Sequence, residues 1–194
     1  EANRFLGKEF KGSMFAIAKD VKIQIEFNPN QVKAYRLIGY ENRKLRPEDF
    51  KNDAIDAGEL GSNHSVTALY EIIPAGSKSK FYTEADELKY TTTTPTENKY
   101  TNELATIKFR YKKPDGDQSI EMVQTIENKS ILLQNASDDF KFSNAVAWFG
   151  LKLRDSKLIA NSSSKDIIAL ANQGLSNDSE GYKAEFIRLV EAAN

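Results

Sequence analysis

The hydrophobic period of this 194-residue chain changes once, and that change constrains the fold more than any other feature. Before about Ser137 apolar residues tend to recur at every second position, and beyond it they recur at helical spacing. Val21, Ile23, Ile25 and Phe27 alternate with Lys22, Gln24 and Glu26, which predicts a strand with one face inward and one in solvent. Asn28-Pro29 ends it, because proline has no N–H to give a ladder. A second strand is predicted over Val32 to Tyr40, with Tyr35, Leu37 and Gly39 on one face, and the two read as a hairpin. Ser65 to Ile73 is another β run, and Phe81 to Tyr90 is a candidate strand ahead of a loop at Thr91-Thr92-Thr93-Thr94-Pro95. Leu104 to Tyr111 and Ser119 to Ile126 flank Lys113-Pro114-Asp115-Gly116-Asp117. Here Pro114 fixes φ and Gly116 accepts a positive φ, so a hairpin is predicted.

Behind a cap-like Ser137-Asp138-Asp139, the residues Phe142, Ala145, Val146, Phe149 and Leu153 share one helical face. A second helix starts near Ser164, carries Ile167, Ile168 and Ala171 inward, and stops at Gly174. A third spans roughly Tyr182 to Ala192 with Phe186, Leu189 and Val190 inward. Phe142, Phe149 and Phe186 are expected to dock this tail on the sheet. Glu1 to Phe10, with Ala2, Phe5, Leu6 and Phe10 on one face, reads as a short helix ended by Gly12, too short to stand unpacked. Strands first and helices afterwards give an α+β fold: an antiparallel β-sandwich or partial barrel followed by a C-terminal helical subdomain.

Composition removes several function classes. Lys and Arg total 27 against 28 for Asp and Glu, a formal charge of -1 that argues against a nucleic-acid surface. The absence of cysteine excludes disulfides, thiolate catalysis and Cys-ligated metal. No apolar run reaches the length of about 18 residues that a membrane span needs. The chain opens at Glu1 without Met, which reads as a segment whose targeting signal, if any, lies upstream.

The chemistry-bearing residues are sparse. His64 is the only histidine and lacks a G-x-S-x-G neighbourhood, so it is read as structural, its ring bonding local backbone. Asp115, Asp117 and Ser119 imitate the start of a calcium loop, but Ile120 stands where such a loop needs glycine. Glu48, Asp49, Asp53, Asp56 and Glu59 crowd one segment, where paired carboxylates could serve a glycosidase or hold a hard cation. Lys44, Arg46 and Lys51 are interleaved with them, and a solvated loop of local ion pairs is the simpler reading. Trp148 is expected in core or interdomain packing. No phosphate loop, HExxH helix or dinucleotide fingerprint occurs, so no catalytic, cofactor-binding or metal residue is assigned and no enzyme is expected.

Ile17-Ala18-Lys19-Asp20-Val21-Lys22-Ile23-Gln24-Ile25-Glu26-Phe27-Asn28-Pro29 and Tyr35-Arg36-Leu37-Ile38-Gly39-Tyr40-Glu41-Asn42-Arg43 carry a resemblance. It resumes at His64 to Ile72, at Phe140-Lys141-Phe142, at Ala145 to Gly150 and at Gly181 to Phe186. Together these resemble the C-terminal domain that follows a von Willebrand factor type A domain in bacterial proteins sometimes labelled calcium-activated chloride channel homologues. The resemblance implies that residues 1–18 are the end of the A domain and a linker, followed by a β-rich domain over 19–135 and the helical subdomain over 136–194. The A domain's metal loop, Asp-x-Ser-x-Ser, is absent here, so no ligand carries over. The resemblance further implies a bacterial cell envelope location and, as partners, the upstream A domain and an envelope protein. The expected function is an accessory or protein-interaction domain. A carbohydrate- or peptidoglycan-binding β-domain is the alternative, and it predicts exposed aromatic rings on one sheet face or in a groove.

Overall fold

A computed structural model describes residues 15–62, 64–82, 100–159 and 163–193. The proposed Glu1–Phe10 helix, the Thr91–Pro95 loop and most of the candidate strand at Phe81–Tyr90 lie outside the described residues; Phe81 and Tyr82 are not in a strand. The strands are β1 (Ala16–Phe27), β2 (Val32–Ile38), β3 (Gly58–Gly61), β4 (Leu69–Pro74), β5 (Glu103–Lys112) and β6 (Ser119–Glu127). The helices α1 (Asp138–Leu153), α2 (Ser164–Gln173) and α3 (Tyr182–Ala192) follow them, so the chain is α+β in the expected order. One sheet has the order β3-β1-β5-β6, the other pairs β2 with β4, and every pairing is antiparallel.

The expected β1–β2 hairpin does not form. The backbone N–H of Asn28 donates to Leu104 O at 2.9 Å, and its side-chain amide donates to Tyr100 O and Glu103 O at 2.8 Å each. The turn is thereby tied to the start of β5. β1 pairs with β3 through Ala16–Val21 on one edge and with β5 on the other, and β2 pairs with β4 in a separate sheet. Phe27 still bridges the two sheets, its ring 4.5 Å from that of Tyr35 and 5.6 Å from that of Tyr70. The β5–β6 hairpin forms as expected, its turn closed by Gly116 N–H donating to Lys113 O at 3.1 Å. Pro114 takes the second position and Gly116 the fourth, so a positive φ is not what the glycine supplies; among the described glycines positive φ occurs at Gly39, Gly76 and Gly181.

β1 holds a bulge that the alternation could not reveal. Asp20, at φ 53°, sits where the register against β5 slips between Lys19 and Lys22. Beyond the bulge Lys22 faces inward and is only 2% exposed, while Ile23 is 51% exposed, the reverse of the expected faces at this point. A strap formed by residues 46–56 covers Lys22, whose ammonium donates to Asp49 O at 3.5 Å and to Asn52 O.

The helices build a core of their own. Ala145, Phe149, Ile167, Leu170, Ala171, Ile187 and Val190 are buried together, with Phe142, Trp148 and Phe186 packed against them. Phe186 meets Phe142 at 5.3 Å and Phe149 at 5.7 Å, both edge to face. These three rings, expected to dock the tail on the sheet, instead fasten the helices to one another. Val146, Leu153 and Leu189, expected inward, are exposed, whereas Leu170 and Ile187 are buried. Ser137 caps α1 by accepting from Phe140 N–H at 3.2 Å, and Ser163 caps α2 by accepting from Asp166 N–H at 3.2 Å.

Candidate functional site

The acidic segment dissolves into separate ion pairs. Asp49, buried, accepts from Arg46 Nε at 2.9 Å and Nη2 at 3.3 Å. Asp53 accepts two bonds from Arg110 Nη2 at 3.1 Å each and one from the Ser119 hydroxyl at 2.6 Å. Glu48 lies 3.6 Å from Arg46, and Glu59 stands on β3, while Asp56 remains in the loop before it. The Ser119 bond, followed by those from Arg110, holds the Asp53 carboxyl below its ordinary pKa. Lys112 does the same for Asp20. Asp53 thus fastens the strap to the charged face of the sheet, Asp49 pairs within the strap, and Asp20 joins β1 to β5, so the bonded carboxylates do not converge in a cleft.

The other sequence candidates also disperse. Asp117 lies 3.6 Å from Lys19, and Ser119 turns to Asp53, so the calcium-like trio does not enclose a point. Among the described residues no three His, Asp or Glu side chains are grouped as a metal site. His64 is exposed; its backbone N–H donates to Gly61 O at 3.1 Å, and it borders a small recess with Ala16, Glu59 and Gly61.

What the elements do bring together is an apolar cleft of about 600 Å³, open to solvent, between the two sheets and α1. The end of β1 supplies Ile25 and Phe27, β5 supplies Ile107, β4 supplies Tyr70, and α1 supplies Trp148 and Leu151. Pleating puts Ile25, Ile107 and Gln124 in one cross-strand row and Phe27, Ala105 and Ile126 in the next. On its wall Arg36 pairs with Glu71, and the Asn144 amide donates to Phe140 O at 2.8 Å. Burial pushes the Tyr70 phenol up, so it stays a neutral donor at neutral pH. With these partners the wall offers surface and shape rather than a nucleophile and base.

Sequence reasoning placed Trp148 in packing but missed the cleft. The available signal was that α1 carries apolar residues on more than the one stripe its own core needs: Phe142, Ala145 and Phe149 face the helices, while Ala147 and Leu151 line the cleft.

Comparison with known proteins agrees with a C-terminal position in a longer polypeptide. A family model described as "Uncharacterized protein YfbK, C-terminal" matches residues 12–194. The protein "Uncharacterized protein YfbK" of Escherichia coli (strain K12) is 42% identical over 196 residues, covering all of this chain and 33% of the relative. The chain therefore spans about a third of the length of the curated relative it matches. No solved structure matches it.

Proposed function

The chain belongs to the family of YfbK C-terminal domains, and from that premise we propose that it is a non-catalytic protein-interaction domain of a longer bacterial envelope protein. In this reading it works beside a von Willebrand factor type A domain, and its cleft receives an apolar segment of a partner polypeptide. The observation that carries the reading is the cleft itself, an open apolar hollow walled by β1, β5, β4 and α1 whose charged side chains, Arg36 and Glu71, are already paired with each other. Exposed contiguous apolar surface of this kind marks interaction sites on folded proteins. Two further observations support it. The dispersed carboxylates and the isolated His64 assemble no acid–base pair, and the relative continues for about twice this chain's length outside the match. Among the described residues no helix is long and apolar enough to cross a membrane.

Trp148, the only tryptophan, lines the cleft and provides the test. The remainder of the full-length protein, expressed separately, is titrated into this chain while tryptophan emission and binding heat are followed, with envelope extract as a second source of partner. Saturable binding that shifts emission and is lost in Ala147→Arg, which would put a charge into the cleft, is the expected result. Partners bound equally well by Ala147→Arg would show that the cleft is not the contact. The carbohydrate reading has one observation in its favour: Tyr35 is exposed on β2 with its ring against Phe27. Saturable binding of glycan fragments that Tyr35→Ala removes would favour it instead.

A further inference from the structure

β6 is the outer strand of the four-stranded sheet, and among the described residues no strand pairs with its far edge. Natural edges are usually blunted by proline, lysine, an inward charge or a bulge. Ser119-Ile120-Glu121-Met122-Val123-Gln124-Thr125-Ile126-Glu127 contains no proline or lysine, and its register against β5 runs without a shift from Ser119 to Ile126. Met122 and Val123 at its centre are each 57% exposed, on opposite faces. The strand is a long, straight, half-apolar edge.

Its sequence complements itself. We propose that β6 pairs antiparallel with β6 of a second copy about an axis at Val123, fusing the two sheets into one. That register uses the whole strand and sets Val123 against the partner's Val123, Ile120 against the partner's Ile126 and Met122 against the partner's Gln124. Glu121 then faces the partner's Thr125, and Glu127 faces the partner's Ser119, so no glutamate opposes another. Moving the axis to Glu121 would oppose Glu121 to itself, and moving it to Gln124 would oppose Glu121 to Glu127. The two glutamates have cations within their own chain: Glu121 lies 4.0 Å from Arg110, and Glu127 pairs with Lys129. The edge therefore does not repel its own copy as a row of bare negative charge would. The apolar rows that end at Ile120 and Ile126 become continuous across the junction, while the backbone groups along the edge gain partners. Ile126 also lines the cleft, but the axis residue Val123 does not, so variants at Val123 test the pairing separately from the reading of the cleft.

Sedimentation equilibrium of the 194-residue chain over a wide concentration range tests the pairing, with Val123→Lys and Val123→Glu as variants. Val123 is exposed, so both variants are expected to keep the monomer's far-UV circular dichroism. Each alone places like charges face to face on the axis and should weaken the dimer at least about tenfold. An equimolar mixture of the two should restore it. Amide exchange of the unmodified chain gives an independent readout, with β6 amides slowing as concentration rises through the dimer midpoint. A chain that stays monomeric, a dimer indifferent to both variants, or exchange in β6 that does not respond to concentration would overturn the proposal.

Discussion

Gly174 stands where the end of α2 meets the first turn of α1. A Cβ at this position would lie 2.7 Å from Phe142 N and 2.8 Å from Phe142 Cβ and would press on Asp138 O. Its φ of -106° is open to any residue, so what requires glycine is the close approach of two backbones rather than a left-handed turn. Gly174→Ala is expected to cost about 1–3 kcal/mol, seen as a lower urea midpoint at unchanged slope. A midpoint that does not move would mean that the two helix ends separate freely. The glycine was legible in the sequence as a helix stop, but its reason was not, because the clashing atoms lie more than thirty positions back in the chain. Lys22 makes the same point in reverse. Its alternation with Val21 and Ile23 marks a strand correctly, yet only the strap's carbonyls at Asp49 and Asn52 make its burial tolerable.

The strap 46–56 is the element most dependent on charge. Asp53, which ties it to β5 and β6, has its carboxyl pKa lowered by hydrogen bonds from Ser119 and Arg110, while Asp20, lowered by its bond from Lys112, joins β1 to β5. A lowered carboxyl contributes stability that is complete above the ordinary value of about 4 and is lost as pH falls through the folded value. Lys112 is raised by Asp20, so its share is complete below about 10.5 and is lost only as pH rises beyond that. Amide exchange within 46–56, corrected for intrinsic rate, is therefore expected to stay flat between about pH 5 and 9 and to accelerate below about pH 4. Acceleration of β1 and β5 at the same pH would show that the strap does not open on its own. Asp178 belongs to the same class at the other end of the chain. Its carboxylate accepts from Lys183 N–H at 3.0 Å and Ala184 N–H at 2.9 Å, capping α3, and these bonds lower its pKa. Element types were read correctly along most of the chain because capping, turn closure and period are local. β3 was missed inside the acidic segment because its four residues, Gly58–Gly61, are too few to show a period.

Across the molecule, the three helices share a buried apolar cluster of their own, and the cleft lies between α1 and the sheets. Phe149, buried among Ile167, Ala171 and Phe186, belongs wholly to the helical one. Phe149→Ala is expected to cost about 3–5 kcal/mol and to raise amide exchange in α1–α3 while β1 and β5 keep their protection. Loss of protection in both parts together would instead reveal a single cooperative unit. The amino-acid order alone settled the α+β succession, the β5–β6 hairpin, the Ser137 cap and the approximate extent of the three helices, since each follows from contacts within a few residues. Tertiary structure decided which strand β1 pairs with, which residues of α1 and α3 turn inward, and that a lysine lies beneath the strap. It also decided that a cleft exists at all. Pairing and burial are set by whichever distant segment reaches a surface first and fits it, and periodicity says that a face is apolar without saying what will cover it.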